Sequence, residues 1–405
     1  MPDPIAIVGA SLAGMHAAHT LRKEGYDGPV TVVDADPRAP YDRPPLSKQV
    51  LAGAWEPDRI VLPAAREDLD LEQLIGRRAE AVDLGRRVLT LDGGDELAFA
   101  GLVVATGAVP RRLPGQPDLA GVHVLRTLDD CLALRADLDR VPSRVVVVGA
   151  GFIGSEVAAT CRGRGLEVTV VEAAPVPLER VLGARLGQVC ADLHHDHGVD
   201  LRLGVGVAGI DGDGEGRVAS VRLADGAVID AEVVVVGVGV SPATTWLEGS
   251  GLTLDDGVVC DETLLAAPGV VAAGDLARWP SRRFGERLRL EHWENAVQQG
   301  EAAARRLLAE LEGAGAPEVF DPVPWFWSDQ YDRKLQLAGR SGADHDVEIV
   351  VGGVEERRFV ALYGKQGRLR GVFGMNRPRQ VMQLRTLLVE GTPFDDACAA
   401  ARQIA

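Results

Sequence analysis

The sequence predicts an α/β fold: two Rossmann-like dinucleotide-binding domains followed by a small C-terminal α+β domain. Three observations predict it. A strand, a glycine-rich turn, a helix, a second strand and a closing acid occur in that order twice. Each copy is followed by further aliphatic strands that end in turns of small residues. Beyond residue 323 the pattern changes to a run of strands and then helices, which suits an α+β domain.

The first copy runs from the strand Ile5–Val8 through Gly9-Ala10-Ser11-Leu12-Ala13-Gly14 to Val32-Val33-Asp34. The second runs from Val145–Val148 through Gly149-Ala150-Gly151-Phe152-Ile153-Gly154 to Val170-Val171-Glu172. Continuous aliphatic runs fit strands buried on both faces. The first glycine makes the tight turn, the second admits a pyrophosphate, and the third lets helix pack on strand. The helix N-terminus then offers unpaired N–H groups and a positive dipole end to the phosphates. Ser11 stands where the first copy would carry its second glycine, so its Cβ narrows the approach while its hydroxyl can donate to phosphate. The acid after the first copy is Asp34 or Asp36, either of which can accept a ribose hydroxyl. In the second copy it is Glu172; Glu156, just inside the helix, is a candidate cofactor contact.

Two such sites in one chain point to a flavin and a nicotinamide, FAD and NAD. Leu102–Val104 ends in Ala105-Thr106-Gly107, and Val233–Val236 ends in Gly237-Val238-Gly239. A later short strand ends in Gly274-Asp275, where a carboxylate can accept a ribityl hydroxyl. The expected division is an FAD domain of residues 1–112 and 247–322, an inserted NAD domain of 113–246, and a C-terminal domain of 323–405. In the last, strands are expected at Lys334–Ala338, Val347–Val351, Phe359–Tyr363 and Leu369–Gly374, with helices at Gln380–Leu388 and Asp395–Ala401.

Composition narrows the function classes. The chain has 405 residues, with Lys+Arg 43 against Asp+Glu 59 and a net charge of −16. That balance argues against nucleic acid as partner, since phosphate neutralisation needs a basic face. The longest apolar runs are far shorter than the ~18 residues of a membrane span, so no membrane is expected. The chain enters a strand at Ile5 with no charged-then-apolar leader, and a cytoplasmic location is expected. The five cysteines, Cys131, Cys161, Cys190, Cys260 and Cys398, are scattered with no CxxC pair. They read as core residues, not as a disulfide framework or zinc site. His194-His195-Asp196-His197 reads as a surface helix end, not a metal cluster. Five arginines between Arg278 and Arg289, against Glu286 alone, read either as a solvated loop or as a basic patch on which an acidic partner docks.

The order of these motifs resembles flavoprotein reductases with two dinucleotide-binding domains. Within them, Tyr41-Asp42-Arg43-Pro44-Pro45-Leu46-Ser47-Lys48 and Pro324-Trp325-Phe326-Trp327-Ser328-Asp329-Gln330 resemble the NADH-dependent ferredoxin reductases of bacterial oxygenase systems. The resemblance implies FAD contacts at Gly14, Asp36, Arg43, Lys48, Val82, Arg126, Asp275 and Trp293, with Pro45, Glu291 and His292 adjoining them. An ammonium at Lys48 beside the flavin would favour negative charge on the reduced ring. Trp327 would wall the flavin or pack in the core. Disulfide reductases of this architecture need a CxxC or two spaced cysteines near the flavin, and its peroxidases and water-forming oxidases need a single redox Cys near the Lys48 position; here the loop reads Pro45-Leu46-Ser47-Lys48, with Ser47 in place of a thiol. The implied function is therefore transfer of hydride from NADH to FAD and of single electrons to a two-iron two-sulfur ferredoxin. The ferredoxin would supply a cytochrome monooxygenase or a ring-hydroxylating dioxygenase. The rivals are a rubredoxin or small-quinone reductase and an FAD/NADH redox-sensing interaction protein.

Overall fold

The structure is a computed structural model describing residues 3–65, 67–313 and 318–404. The chain forms two compact units. One takes Met1–Asp42, Asp58–Val109 and Ser241–Pro324; the other takes Arg43–Pro57, Pro110–Val240 and Trp325–Ala405.

The first unit is built on a six-stranded sheet. Its order is Leu265–Ala267, Val270–Ala272, Gly101–Val104, Ile5–Val8, Val30–Asp34 and Glu72–Ile75. Five strands run parallel, and the edge strand Leu265–Ala267 is antiparallel. Ile5–Val8 is buried along its whole length, as its unbroken aliphatic run requires. The helix Leu12–Lys23 returns over this sheet, burying Met15, Ala18 and Leu21. The long helix Trp293–Glu312 packs against it at Gly300, where an added Cβ would lie 2.3 Å from the Ala13 carbonyl oxygen. A three-stranded antiparallel sheet, Ala79–Asp83, Val88–Leu91 and Glu96–Ala98, carries the buried Val82.

The arginine-rich segment is neither a loop nor a bare cationic face. Ala277–Ser281 and Glu286–Leu288 form an antiparallel hairpin. Arg278 pairs with Asp255. Arg282 pairs with Glu262 at 2.5 Å, and Arg289 with Asp256 at 3.2 Å and Glu291 at 2.7 Å. The neutralising acids Asp255, Asp256 and Glu262 precede the segment in the chain, and Glu291 follows it.

Two five-stranded sheets organise the second unit, beside a small three-stranded antiparallel sheet of Val207–Gly212, Val218–Leu223 and Val228–Asp230. The first is parallel, in the order Asp200–Leu203, Val168–Glu172, Val145–Val148, Val233–Val236 and Val122–His123. Its fingerprint helix is Phe152–Gly163. The other is antiparallel, in the order Trp325–Gln330, Arg333–Gly339, Arg368–Met375, Arg358–Lys365 and Asp346–Gly353. Helices Pro378–Glu390 and Phe394–Arg402 follow. These elements match the expected strands and helices within a few residues, with Trp325–Gln330 as a fifth strand.

Helix Glu179–Asp196 packs on the C-terminal sheet, where Leu182, Leu186 and Leu193 share a core with Leu335, Phe359 and Phe373. The histidine run does close this helix, but His194 is fully buried, not on the surface. Its Nδ1 lies 2.6 Å from the Tyr331 hydroxyl and its Nε2 3.2 Å from the Ser155 hydroxyl. Burial pushes its pKa down to about 4, so it is neutral at pH 7. Among the described residues no His, Cys, Asp and Glu group could hold a metal ion, and no helix is long and apolar enough to cross a membrane.

Candidate functional site: two glycine cradles and a buried ion pair

The two fingerprints fold alike. Gly9 has φ +110° and Gly149 φ +100°, backbone that favours glycine. A Cβ on Gly9 would lie 2.2 Å from the Ala105 carbonyl oxygen, and one on Gly149 would lie 2.4 Å from that of Gly237. Each turn is thus pressed against the small-residue turn that ends a neighbouring strand. The third glycines seal the cradles from inside. A Cβ would be 1.8 Å from the Gly9 carbonyl oxygen at Gly14, and 2.0 Å from that of Gly149 at Gly154. Gly151 differs: nothing lies within 4 Å of its added Cβ. That open space at a helix N-terminus is what a pyrophosphate requires. In the first copy Ser11 is the N-cap of its helix, with Ala13 buried in the first turn.

The closing acids brace their own loops. Asp34 accepts hydrogen bonds from the N–H groups of Ala10 and, at 2.8 Å, Asp36. Glu172 accepts from Ala150 at 2.7 Å and Ala174 at 2.9 Å. Asp36 takes part in a separate contact, accepting from the Tyr41 hydroxyl at 2.7 Å. A carboxylate has about four acceptor sites, so all three acids retain capacity for ribose hydroxyls.

Among the other first-unit candidates, Ala105-Thr106-Gly107 and Gly274-Asp275 follow the carboxyl ends of the neighbouring strands Gly101–Val104 and Val270–Ala272. Thr106 donates from its hydroxyl to the Ala243 carbonyl at 2.8 Å, and Gly107 accepts from the Ala243 N–H at 2.9 Å. Gly274 has φ +85°, and a Cβ there would lie 3.1 Å from the Ala13 side chain. The Asp275 carbonyl accepts from Arg289 at 2.9 Å, and Arg289 also holds Glu291. His292 is the N-cap of the helix that Trp293 opens. The Trp293 indole N–H donates to Asp42 at 2.8 Å, tying that helix to the Tyr41–Asp42 stretch.

In the second unit Lys48 meets Glu156. Lys48 Nζ and Glu156 Oε2 are 2.7 Å apart, and the side chains are only 12% and 4% exposed. The Ser47 hydroxyl donates to the same oxygen at 2.5 Å, and the Ser328 hydroxyl donates to Oε1 at 2.7 Å. Ser47 is held from its other side, since Thr160 donates to its carbonyl at 2.7 Å. A buried carboxylate thus gathers a cation and two hydroxyls from two separate chain segments, one at Ser47 and Lys48 and one at Ser328. Pro45 lies in the short 3₁₀ turn Pro44–Ser47, which Arg43 caps. Arg126 precedes the capping box of Thr127 and Asp130, donating its own N–H to Asp130 at 3.1 Å. Gly239 accepts from the Arg111 N–H at 2.9 Å. Phe152 packs edge-on against Phe326, with ring centroids 4.7 Å apart, and Ile153 is exposed at the mouth of the cradle. Trp327 stacks on Trp325 at 5.3 Å.

Two residues of these clusters escaped the sequence reading. Ser328 sits inside a quoted motif, but nothing in that motif shows that its hydroxyl faces Glu156. Gln299 is fully buried in the first unit and accepts from the Gly274 N–H at 2.8 Å. Its signal was a polar residue on the buried face of an amphipathic helix, visible in Ala296, Gln299 and Gly300.

All five cysteines are unpaired and buried. Burial pushes the thiols of Cys131, Cys161, Cys190 and Cys260 up to about 12 and raises that of Cys398. No thiolate nucleophile is available at neutral pH. Thiol reagents should therefore leave NADH-to-acceptor turnover largely intact, and thiols titrated before and after denaturation should rise from near none to five. Rapid inactivation that NADH prevents would show one of these cysteines to be catalytic.

Two glycine turns, each opening a helix and each followed by a closing acid, define a two-dinucleotide flavoprotein oxidoreductase. The chain belongs to the Pyridine nucleotide-disulphide oxidoreductase family, which it matches over residues 3–300, and residues 325–405 match the Reductase C-terminal family. It is 38% identical to the 5,5'-dehydrodivanillate O-demethylase ferredoxin reductase subunit of Sphingobium sp., over 96% of this chain and 94% of that one. It is 38% identical to rhodocoxin reductase of Rhodococcus erythropolis, covering 98% and 92%. Its structure matches the reductase in the covalent putidaredoxin reductase–putidaredoxin complex with a TM-score of 0.90 and 32% identity, covering 96% of this chain and 94% of that one. The family's cofactors are FAD and NAD(H).

Proposed function

We propose that the chain takes hydride from NADH and passes single electrons to a two-iron two-sulfur ferredoxin, which supplies an oxygenase. Bound FAD supplies the step between a two-electron donor and a one-electron acceptor. The observation that carries this reading is Ser47, a hydroxyl hydrogen-bonded to Glu156 where a redox thiol would otherwise stand. The buried, protonated thiols elsewhere agree with it. Electrons therefore leave for an external partner and not for an internal disulfide. The ferredoxin reductases among its relatives support the same partner class.

In this reading the cradle Gly9–Gly14 holds the FAD pyrophosphate. Asp36 takes the ribose and Asp275 the ribityl chain. Lys48 keeps its ammonium on Glu156, and its resemblance to the family motif assigns it to the flavin. The cradle Gly149–Gly154 holds NADH, with Glu172 accepting the adenosine ribose hydroxyls. We place the protein in the cytoplasm, where five unpaired cysteines stay reduced.

The test is steady-state turnover with NADH or NADPH against ferredoxins, rubredoxin and small quinones. Ferredoxin should give the highest kcat/KM. NADH should exceed NADPH by at least roughly tenfold, because the Glu172 carboxylate repels a 2′-phosphate. Preferred reduction of rubredoxin or quinone would overturn the ferredoxin assignment. Flavin reduction by NADH too slow to support turnover would favour a redox sensor. Equal use of both nicotinamides would remove Glu172 from its role.

A further inference from the structure

We propose that Gln299 binds FAD directly, its side-chain N–H donating to a pyrophosphate oxygen of the cofactor. The proposal rests on the reading that FAD occupies the cradle Gly9–Gly14. Gln299 is fully buried on the helix Trp293–Glu312. Its Oε1 accepts the Gly274 N–H at 2.8 Å. That bond fixes the orientation of the amide, because an N–H cannot donate to the NH₂ end. Nε2 must then point away from Gly274, and there it is buried with no protein partner.

The surroundings say what the missing acceptor is. The next residue, Gly300, packs so closely that a Cβ on it would lie 2.3 Å from the Ala13 carbonyl oxygen and 3.1 Å from the His16 Cβ. Gly274 itself faces the Ala13 methyl, 3.1 Å from where its own Cβ would be. The Gln299 amide therefore lies where the Gly274–Asp275 turn meets the first turn of the fingerprint helix. A helix N-terminus after a glycine turn is where a pyrophosphate is bound. A buried donor is stable there only if an acceptor arrives, and the phosphate oxygens are the strong acceptors the cofactor brings.

The experiment is FAD titration of the apoprotein, read by flavin fluorescence, for the wild type and for Gln299→Glu. Glutamate keeps an oxygen for the Gly274 N–H but replaces the donor with a second acceptor. The dissociation constant for FAD should rise about 10- to 100-fold, as for loss of a hydrogen bond to a charged group. Phosphorus NMR of the FAD-loaded protein gives a second readout that survives poor folding of that variant. Gln299→Met should shift one of the two pyrophosphate resonances and leave the other near its wild-type position. A Gln299→Glu protein that binds FAD within about twofold of wild type would overturn the proposal. So would unshifted resonances in Gln299→Met, since the amide would then face a buried water. A wild-type apoprotein that takes up no FAD would overturn the underlying reading as well, and the wild-type titration shows that before any variant is made.

Discussion

Lys48→Met should lower the midpoint of thermal unfolding by roughly 10 °C, and adding Glu156→Gln should return most of that loss. Removing the ammonium leaves a carboxylate that is only 4% exposed without its cation. Breaking a buried pair from one side costs about 3–5 kcal/mol, whereas removing both charges is often close to neutral. Ser47 and Ser328 cannot substitute for the cation, because each already donates its single hydroxyl proton to Glu156. Scanning calorimetry of the two variants beside wild type checks this. A double variant no more stable than Lys48→Met would mean that the pair is not the source of the loss. The same single variant should slow flavin reduction by NADH if the ammonium also faces the flavin.

The second large effect is expected at Gly154. Gly154→Val should cut the rate of flavin reduction by NADH by about 10²-fold or more while the protein stays yellow and dithionite still bleaches it. The new Cβ would sit 2.0 Å from the Gly149 carbonyl oxygen, so the backbone of the turn has to move. A displaced turn no longer aims its N–H groups at the NADH pyrophosphate. In the proposed assignment the flavin cradle is Gly9–Gly14, which belongs to the other unit and has its own third glycine, Gly14. Stopped-flow reduction and flavin content of the purified variant separate the two. Loss of flavin with NADH binding retained would exchange the assignments of the two fingerprints.

Much of this was legible in the sequence because it is local. A glycine turn between a buried strand and a helix involves adjacent residues, and its positive φ and close packing leave few residue choices. The C-terminal strands and helices were legible for the same reason, through period-two and helical spacing. Contacts between distant segments were not. Glu156 reads as one more acid inside a fingerprint helix, yet it joins Lys48 to Ser328. Asp34 and Glu172 read simply as ribose acceptors, and only the folded loops show that they brace Ala10 and Ala150. His194 looked like a solvated helix end because the helix stops there, but the Tyr331 turn covers it. The arginine hairpin misled in the opposite way. A charge count along a window omits counterions such as Asp255 and Glu262, which the fold brings from outside it.

The sheltered thiols also make the molecule convenient to wire. With five cysteines all under cover, the surface offers no thiol to compete with one placed there deliberately. Met382, which is 44% exposed on the helix Pro378–Glu390, is one such place. Met382→Cys would give maleimide chemistry a single address, and an electrode or a dye coupled there would hold every molecule by the same point.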